Sequence, residues 1–515
     1  MAKVSYEQIL LILAIIFLPI NNFSVKLPLV GGAVSKGFIF IGFIVLIYDL
    51  FIKKYQLDEF ERLCLYYLLA CYLWQCLCTI IGIQEYEYNE MLYLEQMDKL
   101  RYLLQFLWRN GWSINDISAI KIWLTLRCFK DCAFNVLFSY GIVLWIYHIY
   151  KNIQLKSIKI STVITHVITS VSILCVVLIS YSIFEIGYLR GNQFCTDIIV
   201  KINPLLYNVG EYQGWWPPLL WKNQLRSIFA EPSHFGIVGV LIVPMLFYGI
   251  LKFKTKLSII TYSVFVMMLF MTKARTALVL FIIQSVLLLL YVVVLNPDYT
   301  KKIFNIVFVS VFSFFVALYL MTGFKTVSND SNIQVDNAIQ MTVLYVNDNV
   351  TSVIGNKRSN KARFASVSAA LKTGAQHPLF GVGGGLSAAY VNDNFTDEDL
   401  ATDEVRNKWV FNMLEKGVLK SSIPILNQLA NEVVHYGMPG LLMYLLPVFY
   451  IFHKLSRLIK DGLDVEHACL LIAYIGTLVA MLGDGSFLTY YILTGLIITL
   501  LCSAEKGDNR IYEIK

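Results

Sequence analysis

Apolar runs long enough to cross a bilayer recur along the whole chain, and they limit the folds that it can adopt. A helix needs about 20 mostly apolar residues to cross the hydrocarbon core. Inside a bilayer, only helices and closed barrels satisfy every backbone hydrogen bond, and runs of this length are helical. The sequence therefore predicts an all-α, polytopic integral membrane protein with about twelve transmembrane helices. We place the spans at residues 6–22, 37–52, 62–83, 132–150, 161–184, 233–251, 257–272, 275–295, 302–321, 433–452, 465–482 and 486–503.

The composition agrees with this prediction and excludes some partners. Of the 515 residues, 57% are hydrophobic and 15% are charged, whereas soluble domains carry about 25% charged residues. Much of the net charge of +7 lies in short clusters between spans, where anionic lipid headgroups are the natural partner. We therefore expect membrane lipid as a partner and no nucleic acid. Most of the ten cysteines fall in apolar runs and act there as small hydrophobic residues, so we predict neither disulfides nor a metal site.

Basic residues set the expected orientation of the chain. They cluster in alternate connections, for example at Lys53 and Lys54 and again at Lys301 and Lys302. Because cytoplasmic loops carry an excess of Lys and Arg, these connections and both termini are predicted to be cytoplasmic. The first apolar run lacks a strongly basic leader and a small-residue cleavage site, so we expect a span there and not a signal peptide.

The same orientation divides the chain into three parts. Residues 1–321 hold the first nine spans, with long outer loops at 84–131 and 185–232. Residues 322–432 form the largest outer loop, and residues 433–515 hold the last three spans and a cytoplasmic tail. A connection as long as the largest loop is usually either functional or disordered.

Ionisable residues stand directly before one of the spans, in "RSIFAEPSHFG" at positions 226–236. Pro232 suits the first position of a helix, so Glu231 lies at the helix start, where the helix dipole favours a carboxylate by about 0.3–1 kcal/mol. That structural role is one interpretation. The other is catalytic: Glu231 or His234 would take a proton from an attacking hydroxyl group, with Arg226 nearby to bind an anion.

Further candidate residues occur on the same predicted side of the membrane. An arginine side chain can bind a phosphate group through two parallel hydrogen bonds. Several arginines beside one or two carboxylates therefore predict a site for a lipid diphosphate. The candidate binding residues are Arg226, Arg275 in "TKARTA", Arg358 and Arg363 in "KRSNKAR", and Asn427 and Glu432 in "NQLANEVVHYG".

Two other features have simpler explanations. His377 and His435 are isolated, and isolated histidines are more often packed or solvent-facing than catalytic. The sequence "GVGGG" at 381–385 lacks the Lys-Ser/Thr pair that follows a phosphate-binding loop, so it predicts a tight turn.

Four segments, in order, resemble motifs of the bacterial O-antigen polymerase (Wzy) family, within the O-antigen ligase/polymerase superfamily. They are "RSIFAEPSHFG", "TKARTALVL", "HPLFGVGGG" and "NQLANEVVHYGMPGLLMYLL". The resemblance implies a GT-C-type glycosyltransferase of the bacterial inner membrane. It also implies a periplasmic active site, no cofactor or metal, and an undecaprenyl-diphosphate-linked oligosaccharide as substrate.

The resemblance also implies roles for individual residues. Arg226 and Arg275 take the place of diphosphate-contacting arginines, and Arg363 matches the loop arginine that precedes the glycine turn. Related ligases carry a histidine upstream of the late Gly-x-x-Gly motif, where this chain has Asn427 before Gly437. This departure weakens the ligase interpretation and makes Glu231 and His234 the candidate catalytic residues.

We predict that the protein polymerises lipid-linked oligosaccharide repeats into O-antigen, capsule or exopolysaccharide, with a chain-length regulator and a flippase as expected partners. One alternative is ligation of finished polysaccharide to lipid A–core. Another is transport of the lipid-linked repeat, as by a flippase. Transporters usually carry ionisable residues near the bilayer midplane, whereas the predicted spans here have almost none at their centres.

Overall fold

All of the regular secondary structure in the described part of the chain is helical. The computed structural model covers residues 5–26, 30–154, 161–207, 223–253, 255–324, 345, 358–461, 463–485 and 487–512. Parts of two predicted outer loops, at 208–222, 325–344 and 346–357, lie outside the described residues. Every regular element in the described ranges is a helix, which confirms the all-α fold class.

The helices before residue 325 are α1 (Tyr6–Ile16), α2 (Val34–Phe51), α3 (Glu59–Gln84), α4 (Asp98–Arg109), α5 (Asp116–Val136), α6 (Ile142–Gln154), α7 (Ser161–Leu189), α8 (Gln193–Leu206), α9 (Pro232–Phe253), α10 (Lys256–Met271), α11 (Arg275–Leu290) and α12 (Thr300–Thr322). The later helices are α13 (Arg358–Gln376), α14 (Ser387–Asp393), α15 (Asp397–Leu400), α16 (Phe411–Lys416), α17 (Gln428–Asp461), α18 (Val465–Ala480) and α19 (Leu488–Tyr512).

Each predicted span coincides with an apolar helix. In the described residues, α2, α3, the joined α5 and α6, α7, α9, α11, α12 and α17 are long and apolar enough to cross a membrane. The four remaining predicted spans fall on α1, α10, α18 and α19, whose apolar parts are shorter. These helices confirm a multi-pass membrane protein, and the count of twelve spans stays a prediction.

The fourth span begins earlier than its apolar run. A π turn at Leu137–Gly141 joins α5 to α6, so that one long helical stretch runs from Asp116 to Lys151. Ser139 lies in this turn with a non-helical backbone (φ −106°, ψ −105°). Residues 116–131 mix charged and apolar side chains and therefore gave no hydropathy signal. π turns inside helices are rare and frequently mark functional sites.

Helix α9 forms the centre of the bundle. It packs against α10, α11 and α18, and almost all of its residues are buried. Its side chains are apolar on every face, as expected of a helix that is surrounded by protein. Around it, α6 packs on α19, α1 on α2 and α7, and α3 on α5.

One end of the bundle carries most of the extra structure, and we call it the loop end. Helix α3 ends there, and α9, α11, α17 and α19 begin there. Two segments that the sequence assigns to separate outer loops share a second hydrophobic core at this end. That core includes Leu104 of α4, Ile120 of α5, Ala369 of α13, Val391 of α14 and Val434 of α17.

The opposite end holds a cluster of ion pairs. Glu61 is fully buried, and its carboxylate accepts hydrogen bonds from Lys151 Nζ at 2.7 Å and His148 Nδ1 at 2.9 Å. Glu7, Asp49 and His148 also bring potential metal-ligand atoms within 4.8 Å of one another. Asp49 already pairs with Lys53 at 2.6 Å, so salt bridges account for much of this group.

Candidate functional site

A large cavity opens at the loop end, between the membrane helices and the segments above them. Its volume is about 1070 Å³, above the usual range of about 300–1,000 Å³ for small-ligand pockets. Helices α3, α5 and α17 form its walls, and the segment around residues 96–100 and the glycine turn complete them. Aromatic side chains that line it include Tyr67, Trp74, Trp123, Tyr140, Tyr444 and Tyr491. This size and lining suit a ligand of several sugar units.

The glycine turn of "HPLFGVGGG" forms one wall by bonding to the backbone of α17. The Val382 N–H donates to the Val434 carbonyl at 2.7 Å, and the Gly383 N–H donates to the His435 carbonyl at 3.2 Å. In return, the Met438 N–H donates to the Pro378 carbonyl at 2.8 Å. The turn predicted from the sequence is therefore confirmed, and these three hydrogen bonds join it to the backbone of α17.

Two glycines make this close approach possible. Gly437 breaks the helical geometry of α17 (φ 68°, ψ −172°), and a Cβ there would lie 2.2 Å from the Leu379 carbonyl oxygen. A Cβ on Gly381 (φ 64°) would lie 2.4 Å from the Val434 carbonyl oxygen. Other residues rarely adopt such φ values, and their Cβ would collide with the facing chain. The late Gly motif thus shapes the cavity wall.

We expect Gly437→Ala to lower thermal stability strongly. The positive φ alone costs a non-glycine residue about 1–3 kcal/mol, and the clash with Leu379 adds to that. The measurement is thermal unfolding of the purified protein in detergent, followed by size-exclusion chromatography. Gly239→Ala is the matched control, because its Cβ would meet its nearest neighbour, the Phe265 ring, at 3.9 Å within helix α9. Equal melting temperatures for the two variants would contradict this account of the wall.

Two ionisable side chains of α17 face the cavity. Glu432 is 8% exposed, and its Oε1 accepts a hydrogen bond from Gln428 Nε2 at 2.6 Å. His435 lies about one helical turn after Glu432, and its Nε2 atom is 3.0 Å from the Ser387 hydroxyl oxygen. Both line the cavity. The sequence predicts Glu432 as a binding residue and gives His435 no role in the site, although their spacing of three residues puts them on one helix face.

Charged residues of helix α5, which is distant from Glu432 in the sequence, also line this cavity. Arg127 Nε pairs with Asp131 Oδ2 at 2.8 Å, and Lys130 Nζ pairs with Asp131 Oδ1 at 3.3 Å. All three residues lie close together on α5, in the part of this helix that precedes the predicted span at 132–150. Their net positive charge suits an anionic ligand.

Three of the predicted site residues converge on the described part of the turn between α18 and α19, at residues 481–485 and 487. Arg363 Nη1 donates to the Gly483 carbonyl at 2.8 Å, and Asn427 Nδ2 donates to the Leu482 carbonyl at 3.0 Å. The His234 ring lies 5.8 Å from the Phe487 ring. None of the three lines the cavity. Nothing in the sequence indicates this turn as their meeting point, because it lies far from all three residues in the chain.

Arg275 contacts the helix that carries Arg363, and Glu231 lies three residues before His234. Arg275 Nη1 donates to Asn360 Oδ1 at 2.7 Å, one helical turn before Arg363 on α13. Glu231 is partly buried at the start of α9, where its carboxylate accepts a hydrogen bond from the Ser233 hydroxyl at 3.4 Å. Arg358 is the first residue of α13, and its side chain lies outside the described part of the structure.

Arg226 differs from the other predicted arginines because it is 1% exposed. Its guanidinium carbon lies 5.1 Å from the centroid of the Tyr207 ring. The Glu185 carboxylate accepts the backbone N–H groups of Arg226 at 3.0 Å and Ser227 at 2.7 Å. The structure therefore places Arg226 in the protein interior and not on the surface of the loop end. Its predicted contact with a diphosphate stays a prediction.

One family model matches part of the chain. Residues 260–407 match the O-antigen ligase family. The match confirms the resemblance to the O-antigen ligase/polymerase superfamily. The matched region includes Arg275, Arg358 and Arg363 and stops before Glu432. No curated protein matches the chain.

The match to the O-antigen ligase family supports a role of this protein in O-antigen polymerisation or ligation. Within the matched region, the structure brings Arg275 and Arg363 to neighbouring turns of the loop end. Gln428 connects this part of the molecule to the cavity, because its backbone N–H donates to the Met481 carbonyl at 2.9 Å and its side chain binds Glu432.

Proposed function

We propose that the protein polymerises lipid-linked oligosaccharide repeats in the cavity at the loop end, which faces the periplasm of a bacterial inner membrane. The observation that carries the proposal is the position of the cavity. It lies where the spans meet the outer segments, and Glu432 and His435 face into it. A substrate whose tail lies in the membrane and whose sugars lie above it needs a site at this level.

In the proposed reaction, Glu432 is the general base. The terminal hydroxyl of one lipid-linked repeat gives its proton to the Glu432 carboxylate and attacks the anomeric carbon of the growing chain. A new glycosidic C–O bond forms, and the C–O bond to undecaprenyl diphosphate breaks, with its electron pair leaving on the diphosphate. A buried carboxylate in hydrogen-bond reach of a substrate hydroxyl is suited to this role.

Arg275 and Arg363 lie outside the lining of the cavity, beside the turn that Gln428 joins to Glu432, and they are the proposed contacts of the leaving diphosphate at the edge of the cavity. Each uses a guanidinium nitrogen to hold a neighbouring segment, and each guanidinium carries five N–H donors in total. Charge that develops on a leaving group is stabilised best by donors that are already fixed in place. The contacts with Asn360 and Gly483 supply that fixation.

We expect a deletion strain to carry only a single repeat on its lipopolysaccharide core, because unpolymerised repeats are still ligated. A silver-stained gel of lipopolysaccharide measures this directly, with the strain carrying the gene on a plasmid as the control. Long chains of normal length in the deletion strain would contradict polymerisation.

Ligation of finished polysaccharide to lipid A–core is the second candidate, and the family match to O-antigen ligases favours it. Against it, Asn427 occupies the position of the ligase histidine and has a structural role. Its Oδ1 accepts the Ala430 N–H at 3.0 Å and thereby caps α17. Loss of a ligase would leave no O-antigen sugar on the core at all, so the same gel separates the two functions.

A further inference from the structure

A second, smaller pocket lies against the main cavity. Its volume is about 330 Å³. It lies between the start of α2, the π turn that follows α5, and the start of α19. Asp131, Asn135, Ser139 and Tyr491 line both spaces, so the two share a wall. We call this space the side pocket.

Lys36 is the positively charged residue among those that line the side pocket. It lies partly buried in the first turn of α2, and its Nζ is 5.5 Å from the centroid of the Phe138 ring. Within the described residues, its ammonium group has no carboxylate at ion-pair distance and no hydrogen-bond acceptor. By contrast, Lys53, Lys130 and Lys151 each pair with a carboxylate.

The position of Lys36 is unfavourable for the free protein. Partial burial removes water from the charged ammonium group. The N-terminal end of a helix also repels a cation, and the first turn of α2 contains no acidic residue to offset this. The Phe138 ring provides only a modest attraction, of the kind that an aromatic face gives a nearby cation. A bound anion would compensate the charge of Lys36.

We propose that the side pocket binds the diphosphate of a polyprenyl lipid carrier, with Lys36 as its anion contact. This inference rests on the proposed function, in which two lipid-linked substrates meet in each cycle and two diphosphates need separate sites. Arg275 and Arg363 serve the diphosphate that leaves. The side pocket serves the acceptor's carrier, whose diphosphate does not react and needs only a point charge.

The geometry of the side pocket fits that assignment. The wall shared with the main cavity lets the sugars of the acceptor extend from Lys36 towards Glu432. Val30, Phe134 and Leu488 line the pocket beside Lys36 and offer apolar surface to the first isoprenoid units. The π turn at Ser139 lies in the shared wall, in keeping with the frequent occurrence of such turns at ligand sites.

The test is binding to the full-length protein purified in detergent, measured by calorimetry. Farnesyl diphosphate represents the lipid carrier, and inorganic diphosphate represents a free anion. We expect two farnesyl diphosphate sites in the wild type. In Lys36→Met, one of them should weaken about tenfold or more, as expected for one hydrogen bond to a charged group. Lys36→Arg keeps the charge and should retain both sites.

Lys201→Met is the matched control, because Lys201 is exposed on α8 and lines neither cavity. Unchanged affinities in a folded Lys36→Met protein would overturn the proposal, and so would equal weakening by Lys201→Met. Equally tight, Lys36-dependent binding of inorganic diphosphate would overturn the lipid assignment. Size-exclusion chromatography establishes that each variant is folded.

The binding test requires no turnover, so it can fail separately from the proposed function. If Lys36-dependent binding holds while a deletion strain still makes long chains, polymerisation fails and the side pocket stands. If the deletion strain loses its chains while Lys36→Met binds farnesyl diphosphate normally, the side-pocket proposal fails and polymerisation stands.

Discussion

Glu432→Gln is expected to stop chain extension while the protein remains folded in the membrane. The glutamine side chain keeps the shape of Glu432 and can still accept the hydrogen bond from Gln428, but it cannot take up a proton. General-base contributions are about 10²–10⁴ in rate, which is enough to remove long products. The measurement is the length of lipid-linked chains formed from one defined repeat by the reconstituted protein.

Glu415→Gln provides the control for this prediction. Glu415 is exposed on α16, at the same end of the molecule, and it does not line the cavity. We expect this variant to extend chains at the wild-type rate. If Glu432→Gln also did so, the base would lie elsewhere, and Glu231 and His234 would be the residues to test next.

Glu185→Ala is expected to have the largest effect on stability. Glu185 is 1% exposed, and its carboxylate binds the backbone N–H groups of Arg226 and Ser227 and interacts electrostatically with Arg226. Without the carboxylate, the buried N–H groups of Arg226 and Ser227 would lose their acceptor, and each unsatisfied buried group costs about 1–3 kcal/mol. The buried guanidinium of Arg226 would also lose the attraction of a nearby carboxylate. The yield of folded protein and its melting temperature in detergent measure the loss.

A double-mutant cycle separates the charge effect from simple loss of packing. Glu185→Gln removes only the charge, and Arg226→Met removes the opposite charge while keeping an apolar chain. If the two charges are coupled, the double variant should be more stable than the sum of the two single losses predicts. Strict additivity, or a Glu185→Ala protein as stable as Glu415→Ala, would contradict the pairing.

The Glu185 carboxylate also explains how the segment before α9 is held. Ser227 has a left-handed backbone (φ 54°), which is unusual for a residue other than glycine. The Glu185 carboxylate bonds to its N–H, and its hydroxyl donates to the Leu178 carbonyl at 3.1 Å. Helix α7 therefore fixes the chain that leads into Glu231 and His234. Nothing local in "RSIFAEPSHFG" indicates this, because the anchoring carboxylate lies 41 residues earlier.

The sequence by itself determined the helical class and the approximate position of each predicted span. The reason is that a bilayer offers no partner for a free backbone group, so a long apolar run must be a helix. It also located the charged motifs at the ends of those helices. These are properties of contiguous residues, and each can be read without knowing what packs against them.

The tertiary structure alone decided which of the charged residues share a site. Arg226 lies in the interior, where the Glu185 carboxylate accepts its backbone N–H, whereas Arg275 and Arg363 are held near each other by Asn360 and the α18–α19 turn. Glu432 and His435 face a cavity because the glycine turn packs against α17, where Gly437 breaks the helix. Such contacts join residues far apart in the chain, and hydropathy and local spacing carry no information about them.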